Sequence, residues 1–140
     1  GYGNTGYSQA NALACRTYLP LILRNYFVNP YEDNDTAVMA YGPLLSDVAY
    51  WAYPDDTNDW YYFTLSGSAS TNVRVENFSA TGDLLVYREL DTHNPIGQWG
   101  QGGSTMTVVL PSLGAGKYFV RVYTASGQNT TTLYSLTVTY

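Results

Sequence analysis

The 140-residue chain is short of charge, cysteine, histidine and long apolar runs. Each shortage closes off a class of function. Only 12 % of the residues are charged, and six scattered basic residues face eleven acidic ones, for a net charge of −5. Binding to a phosphate backbone draws on clustered Lys and Arg, so a nucleic-acid partner is not expected. A single cysteine, Cys15, cannot pair within one chain; it reads as a small buried side chain or as a link to another molecule. His93 is the only histidine. That rules out a zinc centre built on several imidazoles. Its setting, Asp91-Thr92-His93-Asn94-Pro95, is a polar loop and not an obvious Ser-His-Asp arrangement. No pair of carboxylates stands out from solvated surface as a glycosidase couple. Gly100-Gln101-Gly102-Gly103 is followed by neither a helix nor a Lys, so it is no phosphate loop. The longest apolar run, Leu19-Pro20-Leu21-Ile22-Leu23, falls far below the ~20 residues of a membrane-crossing helix. No enzyme and no membrane span are expected.

What is abundant is tyrosine, fifteen of them, alongside many Thr, Ser, Asn and Gly. Tyr and Thr favour strands while Gly and Asn favour tight turns, which makes the composition all-β. Strands are expected near 37–41, 46–53, 59–65, 71–77, 83–89, 104–110, 116–124 and 132–140. Between them fall turn signals such as Gly42-Pro43, Pro54-Asp55-Asp56, Ser66-Gly67-Ser68 and Ser126-Gly127-Gln128-Asn129. About eight short strands at this spacing predict an antiparallel β-sandwich, jelly-roll-like, with an extended strand ahead of it. Alternation places Met106, Val108 and Leu110 on one face of their strand, and does the same for Tyr118, Val120, Val122 and for Tyr134, Leu136, Val138.

Two parts follow from this reading: an N-terminal extension over 1–30 and a sandwich over 31–140, divided at the chain-breaking Asn29-Pro30. The extension holds the most apolar segment, 18–28, in which Pro20 favours an edge or added strand over a central one. A start at Gly1 with few charges, many Tyr and Thr and no intrachain disulfide is expected of an exported, extracellular chain whose leader has been removed.

Acidic residues gather in two places. Glu32-Asp33-Asn34-Asp35-Thr36 is one; Asp55-Asp56-Thr57-Asn58-Asp59 is the other, running directly into the aromatic strand Trp60-Tyr61-Tyr62-Phe63. Oxygen ligands crowded beside a rigid strand suit a hard cation such as calcium, which takes six to eight oxygens.

Glu32 to Thr36, the Asp-Trp-Tyr-x-Phe core at 59–63, Gly82-Asp83-Leu84-Leu85-Val86-Tyr87, Gly116 to Tyr123 and Tyr134 to Val138 occur in an order and spacing that resembles the bacterial pre-peptidase C-terminal domain. The resemblance covers about residues 31–140. It implies a secreted, non-catalytic β-sandwich of the kind appended to peptidases, similar to the collagen-binding domains of bacterial collagenases. It further implies calcium at the junction of linker and sandwich, with Glu32, Asn34, Asp35, Asp56 and Asp59 as candidate ligands. Arg88 departs from the pattern, standing where a third alternate apolar residue is expected.

Two functions are compatible with these features. In the first, the chain is a structural subunit and calcium stiffens the joint. Tyr18, Leu19, Leu21, Ile22, Leu23, Tyr26 and Val28 form a strand donated to the sandwich of the next copy, so that head-to-tail contacts build a filament. In the second, it is an accessory module for a protein fibre or a glycan, with Tyr50, Trp51, Tyr53 and Trp99 as its candidate ligand face. Core packing competes for the same aromatic residues.

Overall fold

Alternation of apolar and polar residues builds both sheets. In the computed structural model, which describes residues 29–140, eight strands form: β1 (Ala49–Ala52), β2 (Asn58–Leu65), β3 (Ala69–Glu76), β4 (Thr81–Arg88), β5 (Gly97–Trp99), β6 (Met106–Leu113), β7 (Gly116–Ser126) and β8 (Tyr134–Thr139). They pair antiparallel into two four-stranded sheets, ordered β1-β8-β3-β6 and β2-β7-β4-β5. Val73, Val75, Met106, Leu136 and Val138 point inward from the first sheet, and Phe63, Leu84, Val86, Val120 and Val122 from the second; all are fully buried. Burying each such side chain is worth about 1.5–3 kcal/mol, and that shared interior is what holds the sheets together. Among the described residues no helix is long and apolar enough to cross a membrane.

One polar contact crosses this interior. The Tyr61 hydroxyl, from the second sheet, meets the Tyr134 hydroxyl, from the first, at 2.8 Å. The Tyr134 hydroxyl donates in turn to Asp59 Oδ2 at 2.6 Å.

The segment 34–44 is a strap along the edge of β2. Trp60 N–H donates to the Asn34 carbonyl (2.8 Å), Tyr41 N–H to the Trp60 carbonyl (2.9 Å), Tyr62 N–H to the Tyr41 carbonyl (2.9 Å), and Leu44 N–H to the Tyr62 carbonyl (2.8 Å). An edge strand exposes unpaired donors and acceptors, and here the strap satisfies them. Between its anchor points it bows outward through a 3-10 turn, Ala37–Met39. Ala37 and Ala40 thereby pack over a second, smaller apolar cluster of Trp60, Tyr87 and Phe119 on the outward face of the β2-β7-β4-β5 sheet. Gly42 is needed where the strap crosses β2, because a Cβ there would collide with the Tyr62 carbonyl. Leu44, fully buried, then enters the main core.

The observed elements differ from expectation in three places. The strand expected at 37–41 is the 3-10 turn followed by a single parallel bridge, Tyr41 to Tyr61. The strand at 46–53 shrinks to four residues, β1. β5 was not expected: three residues are too few for alternation to register, and Gly97 fits only because it lacks a Cβ, which would lie 2.5 Å from Val108 Cγ1. Pro111 lies within β6, tolerated because that strand is an edge. Arg88 is exposed as the last residue of β4, so it leaves no gap in the core. Cys15 and the apolar segment 18–28 lie outside the described residues.

Because Leu44 joins the strap to the core, Leu44→Ala should destabilise the protein by about 2–5 kcal/mol in urea unfolding, with an unchanged denaturant slope. A loss below about 1 kcal/mol would mean that the strap is not part of the cooperative unit.

Candidate metal centre

Two turns bring the acidic residues together. The first opens the strap: Glu32 N–H donates to the Asn29 carbonyl (3.3 Å), and Asn34 N–H donates to Glu32 Oε2 (3.1 Å). The second links β1 to β2, where Asp56 Oδ1 accepts the Asn58 N–H at 2.9 Å. Such side-chain-to-backbone turns favour Asp and Asn. The Trp60–Asn34 backbone bond then fixes the two turns face to face.

Carboxylate oxygens of Glu32, Asp35 and Asp56 lie within 4.8 Å of one another, as do those of Glu32, Asp55 and Asp59. Glu32 belongs to both groups. No Lys or Arg neutralises them: among the described residues the one ion pair is Arg74–Glu76, on β3. Local positive potential comes instead from N–H groups. The Asn29 amide Nδ2 donates to Glu32 Oε1 (3.1 Å), to Asp55 Oδ1 (2.9 Å) and to the Tyr53 carbonyl (3.3 Å).

Crowding and burial show in the protonation equilibria. Asp59, 2 % exposed, has its pKa pushed up to about 8, foremost by burial. The Tyr134 hydroxyl pulls it down, while Asp56, Glu32 and Asp55 add to the rise. Asp56 is pushed up to about 7 by burial and by a hydrogen bond shared with Asp35. Glu32 is raised too, first by burial. Raised carboxyl pKa values also mark general acids. Here, however, Asp59 faces Tyr134 in the interior, and among the described residues the one imidazole, His93, sits in the exposed β4–β5 loop, where Asp91 accepts its backbone N–H at 3.1 Å.

Several buried polar atoms in the cluster lack a partner. Asn34 is fully buried; its Oδ1 and Nδ2 make no hydrogen bond of good geometry, although its amide lies near enough to the Tyr61 hydroxyl to favour the ionised form of that group, and Asp59 Oδ1 and Asn29 Oδ1 are unpaired. Each such atom costs about 1–3 kcal/mol of desolvation. The carboxylates of Glu32, Asp35 and Asp56 make one all-oxygen triad and those of Glu32, Asp55 and Asp59 another, the donor chemistry a hard cation such as calcium takes; the Asn29 amide turns its Nδ2 toward them and would have to flip to offer its oxygen. A shallow cavity of about 250 Å³ lined by Asp35, Asp56, Thr57 and Asn58 leads to the cluster from solvent.

The five sequence-derived candidates, Glu32, Asn34, Asp35, Asp56 and Asp59, fall in this one cluster. Asp55 belongs to the acidic cluster legible in the sequence but not to the five named candidates, and Asn29 is in neither. Asp55 neighbours Asp56, and adjacent residues in an extended chain point apart; the turn is what lets both face the cluster. Asn29 was read only as a chain breaker beside Pro30.

The candidate ligand face does not form a surface. Tyr50 points inward, its hydroxyl accepting the Leu45 N–H at 2.9 Å, while Trp51 points outward, as the two-residue period of a strand requires. Tyr53 is half-buried beside Asn29. Trp99 belongs to the other sheet, is packed against the core, and donates from Nε1 to the Gly102 carbonyl at 3.0 Å.

The protonation equilibria predict a pH dependence. Asp56 and Asp59 hold protons in the folded state that the unfolded chain, titrating near 3.8, has already released. Their contribution to stability is therefore full below pH 4 and is lost as pH rises through 7 and 8. In chelator, thermal unfolding should occur at a lower temperature at pH 8.5 than at pH 5.5, and Asp59→Asn should flatten that difference. Equal midpoints for the native chain at the two pH values would contradict the burial of these groups.

No family model matches the chain, and no curated protein sequence does. Solved structures do. The pre-peptidase C-terminal domain of collagenase from Bacillus anthracis superposes with a TM-score of 0.56 at 20 % identity, covering 66 % of this chain and 89 % of that domain. The periplasmic g-type lysozyme inhibitor PliG of Aeromonas hydrophila aligns at 22 % identity over 66 % of this chain and 80 % of its own, with a TM-score of 0.38. The chain has the β-sandwich fold of a pre-peptidase C-terminal domain.

Proposed function

We propose that this chain is a non-catalytic binding module of an exported protein, shaped by a calcium ion at the junction of strap and sandwich and attached to an extracellular polymer. The observation that carries this reading is the all-oxygen cluster around Glu32, with the Asn34 amide and the unpaired Asp59 Oδ1 buried within it. A cation would neutralise the carboxylates, supply the missing partners and tie residues 29–35 to the start of β2. The fold supports the same reading, since it is shared with a domain of a collagenase. Low charge and abundant Tyr and Thr suit an extracellular setting.

Trp60 and the hydroxyls of Tyr61 and Tyr134 lie close to the cluster, so terbium bound in place of calcium should emit when these rings are excited. Addition of calcium should quench that emission by competition and raise the unfolding temperature. Asp59→Asn combined with Asp56→Asn should abolish both effects. At calcium a hundredfold above Kd the gain is about 2.7 kcal/mol. No sensitised emission and no thermal shift would rule out the metal.

A second reading, the filament subunit, is favoured by a charge division: all eleven acidic residues fall within 29–140, whereas residues 1–28 carry Arg16, Arg24 and no acid. A basic, apolar segment is complementary to an acidic sandwich, whether its own or a neighbour's. Filaments of the full chain in electron micrographs, lost on deletion of residues 1–28, are the outcome this reading expects. Monodisperse particles from both forms would dismiss it.

A further inference from the structure

The two outer faces of the sandwich differ. On the β2-β7-β4-β5 side the 3-10 turn covers Trp60, Tyr87 and Phe119. On the β1-β8-β3-β6 side no described residue lies over the sheet: Trp51, Asn72, Arg74 and Glu76 are all exposed. Strand register arranges this open face in rows. Trp51 stands opposite Ser135, which stands opposite Glu76; Thr137 lies beside Arg74 in the next row. Ser135 points outward, in register with Trp51 and Glu76, yet is only 6 % exposed. Trp51 remains 50 % exposed.

We propose that this face binds a neutral, ribbon-like polysaccharide, with Trp51 as its stacking platform. The inference rests on reading the chain as a binding module, and it names the polymer and the surface. Charge is the first argument. Arg74 and Glu76 bond each other at 2.7 Å, and Asp47, whose carboxylate accepts the Thr139 hydroxyl at 2.8 Å, adds one acid at the edge of the face, so among the described residues the face is lightly charged on a chain of net −5. A cationic polymer finds a single unpaired acid here, already hydrogen-bonded to Thr139, and an anionic one meets repulsion from the chain as a whole. Shape is the second. The outer surface of a sheet is broad and gently twisted, a shape along which a ribbon can lie. Chemistry is the third. The Thr137 hydroxyl and the Asn72 amide, the more accessible polar groups of the face, both donate and accept hydrogen bonds, as sugar hydroxyls do. The C–H side of a sugar ring is apolar and fits the face of an exposed indole, whose large rigid surface is immobilised at little entropic cost.

The strand carrying Trp51 also runs into the acidic turn. Tyr53, two residues on, receives the Asn29 amide, and the Tyr31 ring lies 6.0 Å from that of Tyr50. The first acidic turn thus contacts β1 and the residue that follows it.

The test is sedimentation of the full chain, in calcium, with insoluble cellulose and chitin as neutral ribbons, and with gelatin and immobilised heparin as alternatives. Retention on a neutral ribbon, weakened about tenfold or more by Trp51→Ala but not by Trp99→Phe, supports the assignment. Tryptophan emission should shift to the blue on adding a soluble oligomer of the retained polymer. Unchanged calcium stabilisation of Trp51→Ala would show that the variant is folded. Retention on gelatin or heparin alone, or retention on a neutral ribbon that ignores Trp51→Ala, overturns the assignment while leaving the binding-module reading standing. Retention on none of the four overturns the assignment and removes the support for a polymer-binding module, whatever the calcium response. A Trp51-dependent dimer in place of retention would show that a second copy occupies the face.

Discussion

A carboxyl group buried in the seam between two sheets constrains everything around it. Asp59 accepts from Tyr134, which belongs to one sheet and touches Tyr61 of the other. An ionised carboxylate at 2 % exposure cannot be left unpaired, and among the described residues no Lys or Arg forms an ion pair with it. A proton or a metal ion would balance it. The strap is bonded to the very next residue, through Trp60 and the Asn34 carbonyl, so the charge state of Asp59 bears directly on how firmly the first part of the described chain is held.

From that seam the architecture divides. One end of the sandwich concentrates negative charge and buried amides. One outer face is closed by the strap's 3-10 turn over an aromatic cluster, with Lys117 4.2 Å from the Tyr62 ring centre and Arg121 5.6 Å from that of Trp60. The opposite face is left uncovered by the described residues and is lightly charged. An asymmetry of this kind is what a module needs if it is fixed in place at one end and makes contact through one surface.

Much of this was legible in the residues, for identifiable reasons. Long strands with clean alternation, such as those holding Met106, Val108, Leu110 and Tyr134, Leu136, Val138, announce which side is buried because one face must avoid water. The acidic turns were legible because carboxylates cluster in so lightly charged a chain. What escaped was whatever depends on tertiary contact. The segment 37–41 carries strand-like residues, yet it must arch over Trp60 and Phe119, and that packing decides its shape. Tyr50, Trp51, Tyr53 and Trp99 look like one aromatic group along the chain, but strand period and sheet order send them in different directions. Asn29 became recognisable as a site residue only once the two turns were seen facing each other.

The central claim is that a divalent cation sits among Glu32, Asp55, Asp56 and Asp59, and a crystal structure of calcium-loaded protein, with anomalous scattering from a terbium-substituted crystal, tests it most directly. The account predicts one strong peak at the junction, with about six to eight oxygens at about 2.3–2.6 Å, Asp59 Oδ1 among them. A map without that peak, in which the Asn29 amide still bridges Glu32 and Asp55, would contradict it.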